Sequence, residues 1–133
     1  MEKIYFGVEQ KEKFYLPGTK KEQWIEVRKL TAAQKAQYLS SVGEMAKVRP
    51  DGTVDYDTTR IGEMERKILK LAVCGYRVKV VENGETKLVE GNDEAEWEKL
   101  YEVMDPDIGE KLMVVVQKLN PWLTTPSAED KKK

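Results

Sequence analysis

The sequence contains no histidine and only one cysteine, Cys74, among its 133 residues. Without histidine the chain lacks the commonest general base and the commonest zinc ligand, and Ser-His-Asp and Cys-His catalytic groupings are excluded. One cysteine cannot form a disulfide within the chain, which suits a reducing compartment. No apolar run approaches the roughly 20 residues that cross a bilayer, and the start lacks the apolar core of a signal peptide. We therefore expect a cytoplasmic protein with no membrane partner.

Motifs that bind phosphates or dinucleotides are also absent. Asp51, Asp55 and Asp57 share one polar loop, but their spacing departs from that of a calcium-binding EF-hand, which favours a structural loop over a cation site. Cys74 closes an apolar helix face, where a cysteine more often packs as a small hydrophobe than reacts. We predict no catalytic, cofactor-binding or metal-binding residue and no enzyme activity.

Charge is nearly balanced, with 23 lysines and arginines against 24 aspartates and glutamates. Its distribution is uneven, because residues 1–49 carry ten basic and six acidic side chains, whereas residues 82–110 carry eleven carboxylates and two lysines. The sequence thus predicts an acidic flank, which is either a solvated helical face or a surface for a basic partner. The basic first third includes Trp24 and Tyr38 and would suit nucleic acid, but the acidic flank opposes that partner.

The length and hydropathy pattern predict one α+β domain over residues 1–123, followed by a flexible charged tail over residues 124–133. Strands are expected at residues 3–8, 14–16 and 23–30, forming a small N-terminal antiparallel β element. In the third of these, Ile25 and Val27 lie on one face.

About four amphipathic helices and one β-hairpin are expected after this element. The first helix begins at a Thr31/Gln34 capping box and is expected to reach about Val48. The second carries the clearest apolar stripe. The expected stripe residues are Ala32, Ala36, Leu39, Val42 and Ala46 in the first helix, and Ile61, Met64, Ile68, Leu71 and Ala72 in the second. The remaining signals are Thr58 or Thr59 and Gly75 for the ends of the second helix, Asn83-Gly84 for the hairpin, Asp93/Glu96 for the third helix and Asp105-Pro106 for the fourth.

Apolar residues are unusually continuous near the end of the chain. Residues 112–116 have the sequence LMVVV, so they cover more than one face of a helix, and Trp122 and Leu123 extend the apolar content past the helix stop. Such a helix either lies centrally in the core or meets a partner, and the two residues after it either dock the chain end or contact a partner. We name Leu112, Val116, Trp122 and Leu123 as candidate protein-binding residues.

Two groups of fragments resemble a known family. Residues 14–17 (FYLP) with 24–32 (WIEVRKLTA), and residues 108–112 (IGEKL) with 119–123 (LNPWL), resemble the two ends of small tail assembly chaperones encoded by tailed phages and prophages of Gram-positive bacteria. The fragments cover about a third of the chain and include no catalytic motif.

The resemblance implies a non-enzymatic protein of the bacterial host cytoplasm that binds the tape measure protein, assists tail tube subunits in assembling around it, and self-associates. It also suggests a longer frameshifted product, if residues 131–133 (KKK) are encoded by a slippery run; a plain solubilising terminus is the alternative. Many such chaperones are almost wholly helical, whereas this chain has predicted strands. A virion structural tail protein or head-tail connector is therefore the alternative function, and a nucleic-acid-binding regulator is the third.

Overall fold

The computed structural model describes residues 2–43, 46–56 and 60–123. Along the chain the elements are β1 (Lys11–Tyr15), β2 (Trp24–Arg28), α1 (Ala32–Val42), β3 (Ala46–Val48), β4 (Val54–Tyr56), α2 (Ile61–Ala72), β5 (Val73–Glu82), β6 (Glu85–Gly91), α3 (Glu94–Glu102) and α4 (Pro106–Leu119). Four described strands form one antiparallel sheet and two form a separate hairpin, so the predicted α+β class is confirmed. None of the described helices is both long enough and apolar enough to span a membrane.

The larger sheet has the order β1-β2-β5-β6. Directly paired residues of antiparallel strands point to the same face, and Phe14 pairs with Ile25, which pairs with Tyr76. This inner face packs against α2, α3 and α4, and Ile25 and Val27 are both buried in the core, as predicted. The outer face is wetter, and there Lys13 Nζ lies 4.1 Å from the ring centroid of Trp24.

The first helix is shorter than predicted. The Thr31/Gln34 capping box is present, but α1 ends at Val42 and Gly43 follows with φ of 45°. A glycine in this conformation ends the helix, and the chain then forms β3 where helix was expected. The buried residues of α1 are Tyr38 and Val42, so the predicted stripe through Ala32 and Ala36, which are both exposed, was wrong.

The second helix buries the predicted Met64, Ile68 and Ala72, together with Leu69. It ends at Ala72, so the assignment of its end to Gly75 was wrong: Gly75 lies inside β5 opposite Glu26. A Cβ there would lie 3.6 Å from the Trp24 ring, so this glycine lets the indole lie close to the sheet. Thr58 and Thr59, the predicted caps of α2, lie outside the described residues.

The later local signals are confirmed. Asn83 and Gly84 have φ of 52° and 79° and join β5 to β6 as a two-residue hairpin turn. Asp93 and Asp105 cap α3 and α4 by accepting backbone N–H groups, although Glu96 does not complete a capping box. The predicted strand at residues 3–8 was wrong, because these residues pair with no strand in the part of the chain that the structure describes. The predicted tail, residues 124–133, lies outside the described residues.

Candidate functional site

The four predicted contact residues lie mostly inside the protein. Leu112 and Val116 have no exposed surface and Leu123 is 4% exposed. They belong to the one hydrophobic core that also contains Ile25 and Met64. In this fold these three side chains cannot touch a partner, so the continuous apolar run of α4 reflects a central position in the core.

Trp122 is half-buried and docks the end of the described chain. Its ring lies 5.9 Å from that of Tyr38, and Lys35 Nζ lies 4.9 Å from its centroid. Its carbonyl accepts the N–H of Val54 at 3.1 Å, which ties it to the β3–β4 hairpin. Of the two roles considered for Trp122 and Leu123, the structure shows docking of the chain end.

An open apolar groove lies elsewhere, between one end of the sheet and the α3–α4 connection. It has a volume of about 360 Å³. Its sheet side is formed by Leu16, Ile25, Val78 and Val80, and its helix side by Leu100, Val103, Met104 and Ile108. We call this feature the apolar groove.

The groove exists because two paired strands differ in length. The described pairing of β2 ends where Trp24 meets Arg77, whereas β5 continues to Glu82. Residues 78–82 of β5 therefore pair only with β6 among the described strands. On the other side, Lys79 donates its backbone N–H to the side-chain Oε1 of Gln23 at 2.9 Å, which takes the place of one strand-to-strand bond. The sheet edge beside the groove is thus open to another strand.

Two apolar side chains on the groove are strongly exposed. Val81 is 73% exposed and Val103 is 70% exposed. Neither has a strand or helix packed over it, and an exposed apolar surface around a concave feature is typical of a binding site. The charged lining residues are Lys79 and Asp105, so the groove offers an apolar interior with a charge of each sign.

The acidic flank is partly neutralised within the chain. Lys70 Nζ lies 3.5 Å from a carboxylate oxygen of Glu94 and 3.3 Å from one of Glu98, and Arg66 lies 3.0 Å from Glu102. These side chains are exposed, so the ion pairs contribute little stability. They orient α3 against α2, and α3 in turn forms part of the helix side of the groove.

The titratable groups in the interior have structural partners. Burial and a 2.6 Å hydrogen bond to Glu96 raise the pKa of Tyr76 to about 12. Burial also raises the pKa of the Cys74 thiol, whose Sγ faces the Glu26 carbonyl at 3.5 Å, and a thiol so protonated is a poor nucleophile. Burial raises the pKa of Glu65 as well. None of these groups lines the groove.

The aspartates and the basic patch are likewise structural where they are described. Asp51 accepts hydrogen bonds from the backbone and hydroxyl of Thr53, and Asp55 pairs with Arg49, whereas Asp57 lies outside the described residues. Within the described residues no group of three or more acidic or cysteine side chains could hold a metal ion. Tyr38 is buried, so it cannot stack on a nucleic-acid base alongside Trp24.

The groove was missed at the sequence level. Val81 follows an apolar alternation that belongs equally to a covered strand, and Val103 ends a helix whose other apolar residues are packed. The signal that marks the site is the unequal length of β2 and β5, which emerges only from their pairing. No protein-family model matches the chain, and neither a curated protein nor a solved structure matches it.

Proposed function

We propose that the protein is a phage tail assembly chaperone that binds the tape measure protein through the apolar groove and assists assembly of the tail tube. The observation that supports binding of a protein segment is the groove itself, whose apolar sides meet at an open sheet edge. The choice of client comes from the resemblance of residues 14–17, 24–32, 108–112 and 119–123 to that family.

The chemistry of the groove suits an apolar segment of another protein. Covering an exposed valine or leucine side chain contributes about 1.5–3 kcal/mol, so two or three such contacts offset much of the entropy lost on association. Asp105 and Lys79 then select charged neighbours in the client segment. The strongly charged remainder of the chain, 35% Asp, Glu, Lys and Arg, keeps such a complex dispersed.

The test is co-expression with the long, helix-rich tape measure candidate encoded beside this protein, followed by pull-down and size-exclusion chromatography. We expect the client to become soluble and to co-elute. Val103→Asp places a charge on the groove and should abolish co-elution. Val114→Asp is the matched control, because Val114 is also an exposed valine, at 52%, but does not line the groove.

Three outcomes would contradict the proposal. If the client stays insoluble and the wild-type protein elutes alone, the chaperone role fails. Detection of the protein in purified virions would then favour the structural or connector function. If the client co-elutes equally with Val103→Asp and Val114→Asp, the groove is not the binding site. Thermal melting of both variants verifies that each is folded.

A further inference from the structure

The N-terminal segment, residues 4–8, is apolar and exposed. Ile4, Tyr5, Phe6 and Val8 are 70%, 78%, 92% and 55% exposed. Ile4, Phe6 and Val8 alternate with Tyr5 and Gly7, which is the pattern of a strand with one apolar face. Nevertheless, this segment pairs with no strand in the described chain. The protein thus presents a sequence suited to a strand that has no partner within its own described fold.

The apolar groove presents the complementary feature. Residues 78–82 of β5 have an open edge on the side away from β6, and the groove lies along that edge. The N–H of Lys79 points to this side, because Gln23 Oε1 accepts it there. Backbone groups alternate along a strand, so those of Val81 point the same way. An added strand with one apolar face would therefore find backbone partners and an apolar surface together.

A chain cannot fill its own groove with its own N-terminal segment. β1 runs from Lys11, opposite Arg28, to Tyr15, opposite Trp24, and the groove lies beyond the Trp24 end of this ladder. The five residues of β1 extend for about 17 Å. Residues 9 and 10 span about 7 Å at most, and Lys29 donates its N–H to the Gln10 carbonyl, holding residue 10 at the far end.

We propose that the N-terminal segment of one copy adds as a strand to residues 78–82 of β5 in a second copy, with Ile4, Phe6 and Val8 entering the apolar groove. Charge supports the pairing, since Lys3 precedes the segment and Asp105 lines the groove. The contact joins different surfaces of the two copies, so it repeats head to tail and produces rings or open chains. This inference goes beyond the proposed function, because it requires no client.

The experiment is sedimentation velocity of the full chain across a wide concentration range, without any other protein. The wild type should form oligomers that grow with concentration. Phe6→Ser should weaken self-association by about tenfold or more, as expected from removing one buried aromatic side chain. Tyr5→Ser is the control on the opposite face of the segment and should have a smaller effect. Both residues are highly exposed, so neither substitution should alter the melting temperature.

A mixing experiment tests the head-to-tail geometry. Phe6→Ser retains an intact groove and Val103→Asp retains an intact N-terminal segment, so each variant alone should be monomeric while an equal mixture forms a heterodimer and nothing larger. A monomeric wild type, equal effects of Phe6→Ser and Tyr5→Ser, or a mixture that stays monomeric would overturn the inference. Client capture by Phe6→Ser remains a separate measurement, so the chaperone proposal can fail or survive independently.

Discussion

Replacing Asn120 with alanine should be among the most destabilising single changes in the chain. Asn120 is completely buried, and its Oδ1 accepts the N–H of Leu30 at 2.8 Å. Its Nδ2 donates to the carbonyls of Arg28 at 3.3 Å and Val116 at 3.0 Å. The side chain therefore joins the end of α4 to the connection between β2 and α1, two regions about 90 positions apart in sequence.

The expected cost follows from these bonds. An unpaired buried N–H at Leu30 costs about 1–3 kcal/mol, and loss of the donated bonds adds about 1 kcal/mol. The Val116 carbonyl still accepts the backbone N–H of residue 120, so it is not left unpaired. We predict a total loss of about 2–4 kcal/mol, a large share of the stability of a typical domain.

Urea unfolding followed by tryptophan fluorescence measures this loss directly, since the chain has three tryptophans. Asn92→Ala is the matched control, because Asn92 is exposed and its replacement should change the unfolding free energy by less than about 0.5 kcal/mol. Asn120→Asp preserves the shape but directs a carboxylate oxygen at two carbonyls, so it should be less stable at neutral than at acidic pH. A loss below about 1 kcal/mol for Asn120→Ala would refute the assignment of Asn120 as a tie between α4 and the β2–α1 connection.

Three further predictions concern pH and glycine. The pKa of Tyr76 is raised to about 12, so its contribution of about 2.7 kcal/mol should be present below pH 10 and lost as pH rises through 12; alkaline unfolding of Tyr76→Phe should lack this step. The pKa of Glu65 is raised by burial, so its effect on stability worsens as pH rises, and Glu65→Gln should raise the melting temperature at neutral pH, as calorimetry can verify. Gly84→Ala should cost about 1–2 kcal/mol in urea unfolding because φ is 79°, whereas Gly62→Ala, in helix α2 with open space around it, should stabilise by up to about 1 kcal/mol.

Local signals predicted the fold wherever a few neighbouring residues decide the conformation. The Asn83-Gly84 turn and the caps Asp93 and Asp105 are of this kind, because a side chain that bonds a backbone N–H two residues ahead needs no distant partner. The alternation of Ile25 and Val27 also predicted its strand, since a strand with one wet face leaves a clear period of two.

Errors arose where distant contacts decide between local preferences. Gly75 has the properties of a helix end, but pairing with β2 holds it in a strand, and the space above it is taken by the Trp24 ring. Gly43 was treated as a weak point within a helix, yet the β3–β4 hairpin that follows makes it the end. Residues 3–8 have a strand pattern but no strand to pair with in the described chain.

The candidate site was predicted least well, for a reason that concerns apolar surface in general. A dense apolar run such as residues 112–116 indicates burial from several sides, so it marks the centre of a core more reliably than an interface, and Leu112 and Val116 lie there. The groove instead depends on where pairing stops: β2 ends at Trp24 while β5 continues to Glu82. Val81 and Val103 have no special sequence context, and their exposure follows entirely from that difference in strand length. Binding surfaces of this kind become visible only once strand register is known, because one missing strand leaves both an open backbone edge and an uncovered apolar face.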